Sequence, residues 1–205
     1  MTETPRIPRA SRMGMWLFLF TEILLFGGLF LVYAVYRRAN PEAFHIASGE
    51  LSLRFGAINT VILLTSSLTM ALAVSAFERG LVGRCLRFLA GTAGLGLIFL
   101  GNKAVEWSAK FAHGLYPGNP ILEARPAGEK LFFSLYFAMT GLHGVHVLVG
   151  VVVLAVTAVL AGRSARADAA RVHEKYGGVV ENSGLYWHLV DTIWIFLFPL
   201  FYLIS

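Results

Sequence analysis

The 205 residues are 57% hydrophobic and only 14% charged, with a formal net charge of +5. A soluble domain carries about 25% charged residues, so this chain lacks the polar surface needed to face water all round. A single cysteine, Cys85, excludes an internal disulfide framework. The basic residues sit in short segments between apolar runs, a pattern of membrane loops and not of a nucleic-acid binder.

Residues 1–12 form a basic tail with Arg6, Arg9 and Arg12. The apolar run behind it is too long for the core of a signal peptide and lacks a small-residue cleavage site, so it reads as a retained span. A hydrocarbon core of about 30 Å takes roughly 20 apolar helical residues, because backbone groups in lipid must pair within their own segment. Five stretches qualify. The sequence therefore predicts an all-α integral membrane bundle of five transmembrane helices, at about 13–36, 55–78, 86–112, 130–162 and 182–204, in one membrane domain over 13–205.

The first run has Glu22 as its only charge, and the second, Phe55 to Phe77, has none. Lys103, Glu106 and Lys110 interrupt the third near its end. The fourth, Leu131 to Gly162, holds no Asp, Glu, Lys or Arg and is longer than the hydrocarbon requires, so it tilts or passes beyond one interface. The fifth holds only Asp191. The loop from His113 to Lys130, with Pro117, Pro120 and Pro126, is expected to be extended and not a further helix. Arg163, Arg166, Arg171 and Lys175 belong to the segment connecting the fourth and fifth spans. With the basic residues of the tail and of the segment after span two, they make ten on one side. Arg37, Arg38, Arg54, Lys110, Arg125 and Lys130 make six on the other. That bias predicts a cytoplasmic amino terminus and an outer carboxyl terminus.

Ionisable groups inside a bilayer cost from about 2.5 kcal/mol upward on insertion scales, so each needs a reason. His143 and His146 lie three apart in span four, His188 and Asp191 three apart in span five, and Lys103 and Glu106 three apart in span three. Helical spacing sets Leu19, Glu22, Phe26, Leu29 and Tyr33 on one stripe, and Met139, His143, His146 and Gly150 on another. A third runs through Gly184, His188, Asp191, Ile195, Phe198 and Tyr202. These stripes are expected to face the bundle interior or a partner. Three readings stand for the polar set: a metal or haem site, a proton path through Glu22, or buried groups that bond across helices and fix register. Lys103 reads as a partner of Glu106 or as a snorkelling residue. Trp16, Trp107 and Trp187, near span ends, read as interfacial anchors.

Several strings resemble subunit III of haem-copper (cytochrome c) oxidases. Met15 to Phe26 is similar to that family's Glu-bearing helix, and Ile58 to Ser67 to its next helix, which opens with an Asn-Thr pair. Phe77-Glu78-Arg79-Gly80 looks like the usual exit from that helix. Thr140-Gly141-Leu142-His143-Gly144-Val145-His146 and Tyr186-Trp187-His188-Leu189-Val190-Asp191-Thr192-Ile193-Trp194 resemble its two most specific signatures.

The resemblance implies a non-catalytic subunit of a respiratory terminal oxidase in the bacterial plasma membrane. Such a subunit supports proton uptake and stability of the catalytic subunit during oxygen reduction coupled to proton translocation. It implies that haem and copper belong to partner subunits and that this chain binds no metal. It also implies phospholipid held between helices, subunit I as the main contact, and subunit II as a further partner. By motif, Glu22 matches the family's carbodiimide-reactive carboxyl. Glu106, His143, His146, His188 and Asp191 match its inter-helix polar cluster. Full-length members have two further helices at the start, so the chain resembles the shorter bacterial type. The Asn102-Lys103 stretch departs from the family pattern. Kindred readings are subunit III of a quinol oxidase and the related accessory subunit of a nitric oxide reductase. A rival of another class is an independent proton or ion transporter that uses Glu22.

Overall fold

The computed structural model describes residues 9–167 and 169–203, so most of the expected basic tail, Arg6 included, lies outside the described residues. The described residues fold into helices with no strand among them: α1 (Arg9–Ala39), α2 (Pro41–Gly49), α3 (Leu53–Glu78), α4 (Val82–Ala112), α5 (Pro120–Glu123), α6 (Ala127–Ala167) and α7 (Ala169–Tyr202). Five of them, α1, α3, α4, α6 and α7, are long and apolar enough to cross a membrane.

The connections depart from expectation in an instructive way. The described residues of the basic segment between spans four and five are helical, with α6 running to Ala167 and α7 starting at Ala169. Its Ala, Arg, Lys and Glu residues are good helix formers, so charge there marks where the membrane ends and not where the helix ends. At 1.5 Å per residue the 41 residues of α6 span about 60 Å, roughly twice the hydrocarbon thickness. The proline-bearing loop between α4 and α6 also contains a helical turn, α5. Pro120 occupies its start, and the Asn119 side chain accepts a bond from the Ile121 N–H at 2.9 Å. Pro41 opens α2 in the same way. Proline lacks only an N–H that has no partner in a first turn, so it begins helices as readily as it ends them.

Two spans close identically. Gly80 (φ 74°) and Gly114 (φ 67°) take the left-handed conformation that a side chain disfavours. The Gly80 and Leu81 N–H groups bond back to Phe77 and Ala76, and those of Gly114 and Leu115 to Phe111 and Lys110. This pair of bonds satisfies the free carbonyls of α3 and α4 and turns the chain sharply.

Helices α3, α4, α6 and α7 form the packed core, and α1 lies against α6 and α7 at its rim. Trp187 is the wedge. A Cβ added at Gly96 of α4 or Gly150 of α6 would stand 2.7 or 2.8 Å from its indole, so only glycine lets these backbones close on it. Trp187 is thus fully buried and not an interfacial anchor, whereas Trp16 is exposed. The indole N–H groups of Trp187 and Trp194 donate to Ser66 Oγ (3.0 Å) and Thr60 Oγ1 (3.1 Å), fixing α7 along antiparallel α3.

Candidate functional site

The polar stripes face protein. On α1, Leu19, Phe26 and Tyr33 are buried and Glu22 and Leu29 half-buried, while Leu17, Phe20, Ile23, Leu24 and Leu25 are exposed to the lipid side. On α6, Met139, His143 and Gly150 are buried and His146 is half-buried. The stripe on α7 holds except at Ile195, which is 47% exposed.

The spacing of α1 delivers Glu22 to the seam with α6, where its Oε2 lies 2.9 Å from His146 Nε2. The side chains are 13% and 15% exposed, so the pair is sheltered but reachable from the bundle edge. The other imidazole nitrogen defines the chemistry. Nδ1 lies 2.8 Å from the Leu142 carbonyl, which accepts only, so Nδ1 carries a proton. A hydrogen bond between Nε2 and the carboxyl then requires one further proton, on either group. Imidazolium with carboxylate and imidazole with carboxylic acid are both neutral pairs, and both preserve the bond. The edge of Phe26, 5.4 Å away, and the Tyr186 hydroxyl, which donates to the His146 carbonyl at 2.9 Å, hold the α6 turn in place.

Glu106 belongs to a different and deeper assembly. Its Oε2 accepts from Lys103 Nζ at 2.8 Å and its Oε1 from the Tyr202 hydroxyl at 2.6 Å. The remaining Lys103 protons reach Tyr136 (3.0 Å) and Tyr202 (3.2 Å), so all three ammonium donors are used. The Lys103 and Glu106 side chains are 8% and 2% exposed, which makes Lys103 a buried partner and not a snorkelling residue. Asn102, next to it, donates to Asn59 Oδ1 of α3 at 3.0 Å. The Asn102-Lys103 stretch thus makes a pair of polar ties, one to α3 and one to α6 and α7.

The remaining residues are dispersed. His188 Nδ1 pairs with Ser67 Oγ of α3 at 2.8 Å. His143 is fully enclosed between Phe99 and Trp194, and neither ring nitrogen has a hydrogen-bond partner among the described residues. Both Asp191 oxygens likewise lack one, although Ser67 stands beside that carboxyl. Glu106, His143, His146, His188 and Asp191 therefore do not converge as one cluster. Glu106 with Lys103 ties α4 to α6 and α7, His146 ties α6 to α1, and His188 ties α7 to α3 as separate contacts, while His143 and Asp191 make no such tie among the described residues. No three His, Cys, Asp or Glu side chains among the described residues gather as a metal ion requires. Tyr136 and Ser67 were not foreseen as partners. Tyr202 lay on the α7 stripe but was not recognised as the ligand of Glu106.

Known proteins match this sequence along nearly its whole length. The chain matches the family described as cytochrome c oxidase subunit III over residues 2–205. It is 31% identical to cytochrome c oxidase subunit 3 of Thermostichus vulcanus, covering 94% of this chain and 87% of that one. It is 30% identical to the cytochrome bo(3) ubiquinol oxidase subunit 3 of Pseudomonas aeruginosa, covering 94% and 84%. A heme-copper oxidase subunit I+III of Aeropyrum pernix is 30% identical over 94% of this chain and 22% of its own length. Five spans, the histidine and aspartate signatures and these matches agree: the chain belongs to the subunit III family of haem-copper oxidases.

Proposed function

We propose that the chain is the non-catalytic subunit III of a bacterial terminal oxidase and that Glu22 and His146 sustain proton supply to the catalytic subunit during turnover. The single observation behind this is the contact of Glu22 Oε2 with His146 Nε2 at 2.9 Å. A carboxyl whose partner is itself titratable, placed at a sheltered helix seam, can pass a proton to that partner and take it back while the pair as a whole stays neutral in the bilayer. Glu106, by contrast, is enclosed in the packed core, with both oxygens held by Lys103 and Tyr202.

In this reading the haem and copper centres lie in partner subunits. This chain's own polar residues do not fit such a group: the Glu22–His146 edge is mutually occupied, His188 is taken by Ser67, and His143 is walled in by aromatic rings. Subunit I is the main neighbour. The Aeropyrum pernix relative, which carries the designations I and III in one protein, supports that choice. Subunit II completes the complex, phospholipid fills gaps between helices, and the amino terminus faces the cytoplasm.

The test is Glu22→Gln in the purified complex. Assembly and initial oxygen consumption are expected to be retained, while activity is lost several-fold faster during sustained turnover. Inactivation kinetics identical to wild type would remove the proton role. Recovery of the native chain with a nitric oxide reductase and no oxidase would remove the assignment to an oxidase. Proton flux from the isolated chain in liposomes would favour an independent transporter.

A further inference from the structure

The three arginines at the α3–α4 turn have no part in the function described so far. Arg79 caps α3, and Arg84 and Arg87 stand three apart on the first turns of α4, so the latter two share a face. They line two neighbouring clefts. The first, about 450 Å³, is walled by Leu72, Ser75, Ala76, Leu81 and Phe88 with all three arginines. The second, about 500 Å³, holds Arg84 and Arg87 again and reaches Ala165 of α6. Both volumes fall in the range of small-molecule sites. The closed turn at Gly80 holds the spacing of Arg79 to the α4 arginines, so the basic rim is preformed. Among the described residues none of the three arginines forms an ion pair, and Glu78, the acid next in sequence, does not line either cleft.

The depth of the clefts decides what fits them. They open where two membrane spans end, with guanidinium groups at the rim and the exposed apolar side chains of Leu72 and Leu68 continuing along α3 toward the bilayer interior. One ligand matches that sequence of surfaces. We propose that the α3–α4 turn binds an anionic phospholipid, its phosphate on Arg84 and Arg87 and an acyl chain along Leu72 and Leu68. Arginine suits the headgroup because its planar fork gives paired bonds to phosphate oxygens. Basic pockets between spans favour anionic over zwitterionic lipids, since only the former keep net charge to neutralise. The site is independent of the role of Glu22.

Native mass spectrometry of the assembled complex, purified with added phosphatidylglycerol or phosphatidylcholine, tests this. Wild type is expected to retain at least one more phosphatidylglycerol per copy of this chain than Arg84→Gln/Arg87→Gln. At about fivefold per arginine, apparent affinity falls about 25-fold in the double variant. Arg163→Gln, which changes a charge outside both clefts, is expected to leave retention intact. Equal retention of phosphatidylcholine, or equal loss in Arg163→Gln, would overturn the proposal. Displacement of the lipid by millimolar inorganic phosphate would mark a free-anion site and overturn it too. Should the double variant not assemble, headgroup selectivity of the wild-type complex decides alone.

Discussion

The two glutamates discussed above, Glu22 and Glu106, are anchored in opposite ways. Glu106 sits in the packed core among α4, α6 and α7, with an ammonium on one oxygen and a phenol on the other. Glu22 sits on a rim helix whose other faces are apolar and exposed, with one imidazole as its partner. Burial without water demands complete pairing, because an unpaired charge in that setting has nowhere to turn. A rim position tolerates a lighter tie, here a single imidazole. The same element of chemistry, a membrane carboxyl, thus locks helices in one place and, in the function proposed above, holds a proton in the other.

The contrast breaks most visibly at Lys103. Lys103→Met strands Glu106 in the core and is expected to cost about 3–5 kcal/mol, read as lost assembly or a lower denaturation temperature of the complex. Lys103→Met/Glu106→Leu removes both charges and is expected to recover most of that loss. A double variant as damaged as the single one would mean that the pair does more than satisfy itself. Gly150→Ala presses a methyl against Trp187 and is expected to cost about 1–3 kcal/mol, tested by the same melts. Thr60→Val, which leaves the Trp194 N–H without its acceptor, is expected to cost about 0.6 kcal/mol, the mean for bonds between membrane helices. Glu22→Gln comes last on this scale, below about 1 kcal/mol or near zero, because the amide still bonds His146. A melting loss comparable to that of Lys103→Met would erase the distinction between lock and proton carrier.

The sequence made the five spans plain, since a run such as Leu131 to Gly162 has no other use for such length without charge. It made the inner faces plain too: the spacing from Leu19 to Tyr33 forecast which side of α1 meets protein. The polar partners were less legible. Lys103 and Glu106 share a helix face and announced their pairing, whereas Glu22 and His146 are 124 positions apart and only packing could join them. Tyr136 and Ser67 carry no mark in the sequence that separates a ligand from an ordinary helix residue. The extension of α6 and α7 beyond their apolar runs is not legible from charge, because a charge count locates the membrane surface, which is a different boundary from a helix end.

The two indole bonds that seat α7 on α3 have a consequence for biogenesis. Of the five spans, α7 is the last to leave the ribosome, and Ser66 and Thr60 enter the bilayer well before Trp187 and Trp194 are translated. Until α7 arrives, nothing supplies the indole that fits between Gly96 and Gly150. Seating of α7 is therefore the step that joins these helices through Trp187.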